Sequence, residues 1–268
     1  MACERNRVIE LTKYCNKLGI TINTGKNKAR GNKGFFRTDS KSYRIDISKD
    51  LPDSDKIRVL LHELVHYIHF VNDKSLKSLN FIFNNPALYE ADLLKLTVDS
   101  VPKSFAQELF NQKNSLKSEI KNYTDKIKRE YPDANFNDLS NNLKKEISKS
   151  DLKYLLKYDA VKILSGFSIK KYELDNLEKD FPNTKQSCYD YLRLCSLKRN
   201  LNRINSKISR LNRYYNSPTE LLARSFEYFI FEPDKMKLLT PKLYEYYENI
   251  IKKNDVKLLS DIVKIFEN

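Results

Sequence analysis

All three histidines of this 268-residue chain lie in one segment, HELVHYIH at residues 62–69. On an α-helix, residues four apart lie one turn apart on the same face, so His62 and His66 would point in nearly the same direction. Two imidazoles placed in this way can bind one Zn²⁺ ion. Glu63 lies at the edge of that face, where its carboxylate can take a proton from a water molecule beside the metal. The segment therefore predicts a metal-binding helix with Glu63 as a general base.

The surrounding sequence supports a helix here. Asp53 follows Pro52, which predicts a helix start with an acidic residue near the positive end of the helix dipole. Apolar residues then recur at spacings of three, four and seven, which leaves one stripe to bury. These residues are Ile57, Leu60, Leu61, Leu64, Val65 and Ile68. We prefer the H-E-x-x-H arrangement of zinc metallopeptidases to the alternative of two core histidines on an amphipathic helix. His69 is expected to be exposed or to contact a metal ligand rather than to bind the metal.

The composition bounds the class of protein. A chain of 268 residues with 40% hydrophobic content can bury a substantial core. The formal net charge of +14 suggests contact with something acidic. The four cysteines form no C-x-x-C pair, so we expect free thiols in a reducing compartment and not a disulfide framework. They are Cys3, Cys15, Cys188 and Cys195.

The N-terminus and the hydropathy of the chain argue against secretion and against a membrane protein. The first residues lead into a charged amphipathic segment, unlike a secretory signal. No run approaches the roughly 18 apolar residues that span a bilayer. We therefore expect a soluble, cytoplasmic protein with no membrane partner.

Glycine usage divides the chain. Four of the five glycines fall in the first 34 residues, so strands and turns are predicted early and helices later. The predicted strands are 20–24, 34–37 and 43–47, with a basic loop at 26–33. The predicted helices besides the metal-binding one are 8–18, 87–98, 105–131, 139–164 and 197–215.

The segment 189–215 is strongly basic and carries one acidic residue, Asp190. Its basic residues are Arg193, Lys198, Arg199, Arg203, Lys207, Arg210 and Arg213. One interpretation is a surface for nucleic acid or for an acidic partner. The other is a solvated face of a helical hairpin, and on sequence alone we favour this second interpretation because no nucleic-acid-binding motif accompanies the charge.

Two histidines and a water molecule do not complete a catalytic zinc site, which takes three protein ligands. No histidine lies outside 62–69, so the third ligand should be a carboxylate. The best context is 217–229, where Glu220, Arg224 and Glu227 fall on one face of a helix that begins at Pro218. In an alternative interpretation Glu220 only closes the helix start, as part of the capping box that begins at Ser217. Spacing alone does not separate these interpretations.

A family resemblance bears on this choice. HELVH at 62–66 together with ELLARSFE at 220–227 resembles the zincin metallopeptidases of phages and mobile elements, whose second motif has the form P-x-E-x-F-A-R-x-F-E. In zincins the last strand before the zinc helix is commonly an edge strand that pairs with extended substrate. That role would fall on 43–47. The resemblance implies Glu220 as the third zinc ligand and Glu63 as the general base.

The same segments are similar to the catalytic domain of anthrax lethal factor, where a Glu-Phe-Phe-Ala-Glu-Ala-Phe helix supplies the third ligand. In that protein a tyrosine shortly before the glutamate stabilises the oxyanion. Tyr214 and Tyr215 lie six and five residues before Glu220, a nearby but not identical spacing. The resemblance covers about 42–71 and the last 55 residues, and it leaves out 103–212.

A second resemblance competes with the first. The segment 43–69 followed by YEADLL at 89–94 is similar to ImmA/IrrE-type peptidases, whose third ligand follows the zinc helix after a short loop. This resemblance implies Glu90 as the ligand, in a regulator that cleaves one repressor. We prefer Glu220, and Glu227 is a further alternative.

These observations predict a predominantly helical α+β, zincin-like fold. We expect an N-terminal subdomain at 1–102 with the sheet and the zinc helix, a helical insertion at 103–212, and a C-terminal subdomain at 213–268. The predicted function is a Zn²⁺-dependent metalloendopeptidase acting on a protein or peptide, encoded by a phage or mobile element. Its location would be cytoplasmic, virion-associated or inside a host cell after delivery. The alternatives are a basic nucleic-acid-binding or virion structural protein with a degenerate zincin fold, and the repressor-cleaving peptidase.

Overall fold

The computed structural model describes residues 2–24, 33–39, 42–101, 103–133, 135–156, 160–162, 168–170 and 172–267. The chain folds into two compact units. The first comprises Met1–Pro102 with Asn212–Asn268, and the second comprises Lys103–Leu211. Helices predominate and a small sheet lies near the N-terminus, which confirms the predicted α+β, mainly helical class.

The elements of the first unit surround one long helix. They are α1 (Ala2–Lys17), β1 (Ile20–Thr24), β2 (Gly34–Asp39), β3 (Ser42–Ile47), α2 (Asp53–Asn72) and α3 (Glu90–Ser100). The second unit holds α4 (Lys103–Glu130), α5 (Phe136–Glu146), α6 (Lys149–Leu156), β4 (Ala160–Lys162), β5 (Ser168–Lys170), α7 (Leu177–Asp180) and α8 (Gln186–Tyr215), whose last turn lies in the first unit. The chain ends with α9 (Pro218–Phe231), α10 (Pro233–Leu239), α11 (Pro241–Lys253) and α12 (Lys257–Glu267), all in the first unit.

The metal-binding helix predicted from the sequence is α2, and its apolar stripe is buried as expected. Ile57, Leu60, Leu61, Leu64, Val65 and Ile68 are each at most 4% exposed. The helix packs against α1, β2, β3 and α9. Burying a large apolar side chain contributes roughly 1.5–3 kcal/mol relative to leaving it exposed, so this stripe holds α2 rigidly in the core.

The sheet has the strand order β1-β3-β2, with β1 parallel and β2 antiparallel to β3. The expectation that 43–47 forms an edge strand is therefore wrong, because β3 is central. The alternation of Tyr43, Ile45 and Ile47 shows which face is buried, but it carries no information about which neighbours pair. The short connection between β2 and β3 instead folds β2 back as a hairpin. The strand at the edge beside α2 is β2.

Gly34 allows β2 to approach α2 closely. A Cβ atom built at Gly34 would collide with Val59 Cγ1 and lie 3.1 Å from Glu63 Oε1. Only glycine gives the backbone room for this approach without moving the helix. The position therefore fixes the distance between the edge strand and Glu63.

The second unit is held together by a buried carboxylate and small apolar clusters. Asp190 on α8 is 1% exposed and accepts hydrogen bonds from Lys126 Nζ at 2.9 Å and from the Tyr131 hydroxyl at 3.1 Å. Ile127, Leu139 and Leu194 pack into one of the clusters. These contacts join α4, α5 and α8.

One helix prediction in this unit is wrong. The segment 139–164 is not one helix, because α5 ends at Glu146, Ile147 is extended and α6 ends at Leu156. Residues 160–162 then form β4, which pairs antiparallel with β5. A short apolar run has the same composition in a helix and in a strand, so its periodicity could not separate the two. The predicted basic loop at 26–33 lies outside the described residues, except for Lys33.

Two observations on the described residues concern the cysteines and the hydropathy of the helices. Cys15, Cys188 and Cys195 are free thiols. None of the described helices combines the length and apolar character required to cross a membrane.

Candidate metal centre

α2 and α9 bring together the three side chains that the sequence proposes as ligands. Ligand atoms of His62, His66 and Glu220 all lie within 4.8 Å of one another. His66 Nε2 is 3.1 Å from Glu220 Oε1, and His62 Nε2 is 3.5 Å from Glu220 Oε2. Among the described residues no other histidine, cysteine and acidic side chains form such a group.

The other ring nitrogen of each histidine is already engaged. His62 Nδ1 contacts a carboxylate oxygen of Glu227, and His66 Nδ1 lies 2.7 Å from Thr219 Oγ1. When Nδ1–H donates to these oxygens, the lone pair of each neutral imidazole is at Nε2, which faces Glu220. Outer hydrogen bonds of this kind orient metal-ligating histidines and raise their basicity.

Glu220 carries a second sign that a cation belongs here. Its side chain is 2% exposed, and within the described part of the chain its Oε2 atom accepts no hydrogen bond. Arg224 Nε lies 3.3 Å from this oxygen, but the contact is ionic and lacks hydrogen-bond geometry. A buried carboxylate oxygen that accepts no hydrogen bond destabilises the folded protein. Two imidazoles and one carboxylate are also the donor set of many catalytic zinc sites, so the residues fit Zn²⁺.

The charges around His62 and Glu220 have opposite effects on their pKa values. Burial lowers the pKa of His62, but the carboxylates of Glu220 and Glu227 outweigh burial and raise it to about 10. Burial favours the neutral form of Glu220, yet the hydrogen bonds and charges of His62 and His66 hold its pKa well below the usual range. Without a metal, the proton on His62 thus balances carboxylate charge, and a bound cation would take over that role.

Glu63 lies between α2 and the edge strand. It is 7% exposed, and its Oε2 atom accepts the backbone N–H of Phe36 at 2.8 Å. Burial raises the pKa of Glu63, whereas the charges of His66 and His62 lower it. Strand β2 therefore anchors one carboxylate oxygen next to the histidine pair.

The two candidate tyrosines at the end of α8 have different environments. Tyr214 is 48% exposed, and partial burial together with the negative charge of Glu220 raises the pKa of its hydroxyl. The ring of Tyr215 lies under the guanidinium of Arg224, 5.0 Å from ring centroid to Cζ. The negative charge of Glu220 thus acts on the Tyr214 hydroxyl, whereas the Tyr215 ring contacts Arg224.

Residues 15–93 match the sequence model of a known family, Peptidase_M78, described as the IrrE N-terminal-like domain. The match supports a zincin-like metallopeptidase. It includes the sheet and α2 and ends long before Glu220. No curated protein and no solved structure matches the chain significantly. The resemblances to phage peptidases and to lethal factor stay predictions, and the match gives no support for a nucleic-acid partner.

The structure also shows where the alternative ligand predicted from the sequence lies. Glu90 is exposed at the start of α3 and is not part of the metal-ligating group. The capping-box interpretation of Glu220 is not met either. The Ser217 side chain makes no cap hydrogen bond and donates to the carbonyl of Tyr214 at 2.8 Å.

Sequence reasoning missed several contacts of the candidate metal site. Thr219 gave no signal, and Glu227 was considered only as a ligand, although its spacing of seven from Glu220 places both on one face. The expectation that the His69 side chain is exposed is wrong. This residue is fully buried, and its Nε2 lies 2.8 Å from the Ser78 carbonyl, to which it donates a hydrogen bond. Helix geometry gives the direction of a side chain but not what covers it.

Glu227 offers a test of the outer contacts. Replacing it with glutamine removes the charge that supports His62 Nδ1, so zinc affinity should fall by roughly 10- to 100-fold. Competition with a fluorescent chelator measures the affinity. Glu232→Gln is the matched control, because Glu232 ends the same helix but its carboxylate contacts Arg58 and Lys235. Equal affinities of the two variants would show that Glu227 does not support the site.

Proposed function

We propose that this chain is a zinc-dependent endopeptidase in which His62, His66 and Glu220 bind the metal. The observation that carries the proposal is the convergence of α2 and α9. It places a carboxylate against the two Nε2 atoms, 154 positions further along the chain than His66. Three protein ligands leave a fourth position open, as in catalytic zinc sites and unlike closed structural ones.

The surrounding residues account for the chemistry. A bound zinc ion would polarise the substrate carbonyl and lower the pKa of the attacking water. Glu63 would take a proton from that water and pass it to the leaving amine. The Phe36 N–H holds Glu63 Oε2, which leaves Oε1 to carry the proton. The Tyr214 hydroxyl would donate a hydrogen bond to the oxyanion that develops on the substrate.

We propose β2 as the strand along which the substrate binds. The Phe36 N–H points to Glu63 and not to β3, so backbone groups in the same register also face outward. By alternation these belong to Gly34 and Thr38. An extended peptide that paired with this edge would pass directly beside Glu63. The substrate class is therefore an unfolded or extended segment of a protein.

We infer finer assignments from the sequence and from the family match. The match over 15–93 favours a peptidase that cleaves one protein partner, as in the ImmA/IrrE resemblance. Against this, Glu90 is not among the donors that group with the two histidines, whereas Glu220 is. We also propose a phage or mobile-element origin, a cytoplasmic or virion-associated location, and an insertion at 103–212.

Metal removal tests the proposed activity. Zinc-loaded protein incubated with unfolded substrate proteins should yield internal fragments, detected by mass spectrometry. Treatment with 1,10-phenanthroline should abolish these fragments and added zinc should restore them, because the water is a weak nucleophile without the metal. The absence of fragments from the zinc-loaded protein, across a broad substrate mixture, would argue for a degenerate zincin.

A further inference from the structure

The C-terminal half of α8 is basic, exposed and free of acidic residues. No aspartate or glutamate occurs between Asp190 and Glu220, although the chain has 35 acidic residues in 268. Within the second unit the exposed basic side chains on this half include Arg199, Arg203 and Arg210, with Lys207 between them. We call these four residues the arginine stripe.

The arginine stripe occupies one side of the helix. At 100° per residue, its four members fall within an arc of about 80° and extend over roughly 16 Å. The half-buried Leu201, Ile204 and Ile208 lie roughly 120° away around the axis. The stripe is therefore a continuous charged face apart from these apolar residues, and at its edge Lys207 Nζ lies 5.3 Å from the ring centroid of Phe105 on α4.

The choice of arginine is informative in this chain. The sequence contains 36 lysines and 13 arginines, yet α8 holds five of the arginines and two of the lysines. Lysine would be equally suitable if the only role of this helix face were to remain exposed to solvent. Arginine differs because its planar guanidinium binds phosphate through two parallel hydrogen bonds and stacks on bases. The local composition thus points to recognition of an anion.

The charges of the stripe repel one another in the free protein. Arg199, Arg203 and Lys207 are spaced four apart, and like charges at this spacing destabilise a helix. Arg193, nearer the start of α8, shows the usual solution, an ion pair with Glu178 at 2.8 Å. The described residues provide no carboxylate of this kind to Arg199 or Arg210. A bound polyanion would supply negative charge to Arg199 and Arg210.

We propose that the arginine stripe binds the phosphate backbone of a nucleic acid. All four members of the stripe are charged, and the Phe105 ring beside Lys207 is half-buried, whereas protein interfaces have an exposed apolar or aromatic centre. Exposed polar residues flank it on one side: Ser206 lies about 20° outside the arc, and Asn202 and Ser209 lie about 60° and 80° outside it. Hydroxyl and amide side chains of this kind bind phosphate and sugar oxygens. The arrangement is therefore one for phosphates, without base-specific contacts.

Fluorescence anisotropy with the full-length protein tests the proposal. The probes are labelled single-stranded RNA, single-stranded DNA and duplex DNA, titrated at several salt concentrations. The stripe variant carries Arg199→Gln, Arg203→Gln and Arg210→Gln. The matched control carries Lys144→Gln, Lys145→Gln and Lys149→Gln, which removes the same charge from exposed positions of the same unit. Circular dichroism checks that both variants keep their helices.

The stripe variant should bind at least about 10-fold more weakly than the control, and its slope of log K against log salt should fall by roughly two to three. Preference among the three probes identifies the nucleic acid. A third variant with lysine at the same three positions should bind with intermediate affinity, since the charge remains and the paired hydrogen bonds are lost. Equal binding by stripe variant and control would overturn the proposal. So would binding of poly-glutamate as tight as that of the nucleic acids, which would indicate an acidic protein. Zinc content and peptide hydrolysis should be unchanged in all variants, so failure here leaves the proposed peptidase function intact.

Discussion

Replacing Glu63 with glutamine is expected to reduce peptide hydrolysis by about 10²- to 10⁴-fold and to leave zinc binding intact. Glutamine has the same shape, and its carbonyl oxygen can still accept the Phe36 N–H. It cannot take a proton from water, so the step assigned to Glu63 is lost. Zinc stays because Glu63 is not among the three grouped ligand side chains.

The test measures hydrolysis rates and zinc content for the wild type and the variant on the same cleaved peptide. Glu90→Gln is a suitable control, because it changes an exposed acid in the first unit. Unchanged hydrolysis in the Glu63 variant would rule out the proposed mechanism. Loss of zinc in that variant would instead assign Glu63 to the metal shell.

Replacing Glu220 with alanine is expected to remove stable zinc binding. The substitution takes away the one acidic donor grouped with the histidine pair. The loss of zinc affinity should exceed the roughly 10- to 100-fold loss expected when only a residue that hydrogen-bonds to a ligand is removed. Zinc stoichiometry after dialysis should fall from one per chain to nearly none, as measured by mass spectrometry of the metal.

Glu90→Ala is the matched control for this prediction. Both residues lie in the first turn of a helix, so the substitutions have similar effects on charge and helix dipole. The Glu90 variant should keep its zinc. If it lost zinc and the Glu220 variant kept it, the ligand set of the ImmA/IrrE resemblance would replace the one proposed here.

Local patterns predicted the three strands, α2 and α3 of the first unit well, whereas α10, α11 and α12 were expected only as parts of a helical C-terminal subdomain. The apolar stripe of α2 and the alternation in 43–47 each repeat over a few residues, and such repeats report directly on one buried face. These local repeats could not predict the strand order, because the central position of β3 depends on which strands pair with it. The break between α5 and α6 and the strand β4 were also missed, because short apolar runs fit either element.

In the candidate site, too, residues within one helix could be predicted and contacts between helices could not. His62, Glu63 and His66 follow from spacing within one helix turn. Glu220 lies 154 residues from His66, and only the family resemblance singled it out from the other acidic residues. The contacts of Glu227 and Thr219 with the histidines arise from the packing of α9 on α2, a nonlocal event that no single segment encodes.

The central claim is that α2 and α9 together hold one zinc ion between His62, His66 and Glu220. A crystal of the zinc-loaded protein, measured on both sides of the zinc absorption edge, tests this most directly. We predict one strong anomalous peak per chain, about 2.0–2.2 Å from both Nε2 atoms and a Glu220 oxygen. A peak at Glu90 or elsewhere, or no peak beside the two histidines, would contradict the account.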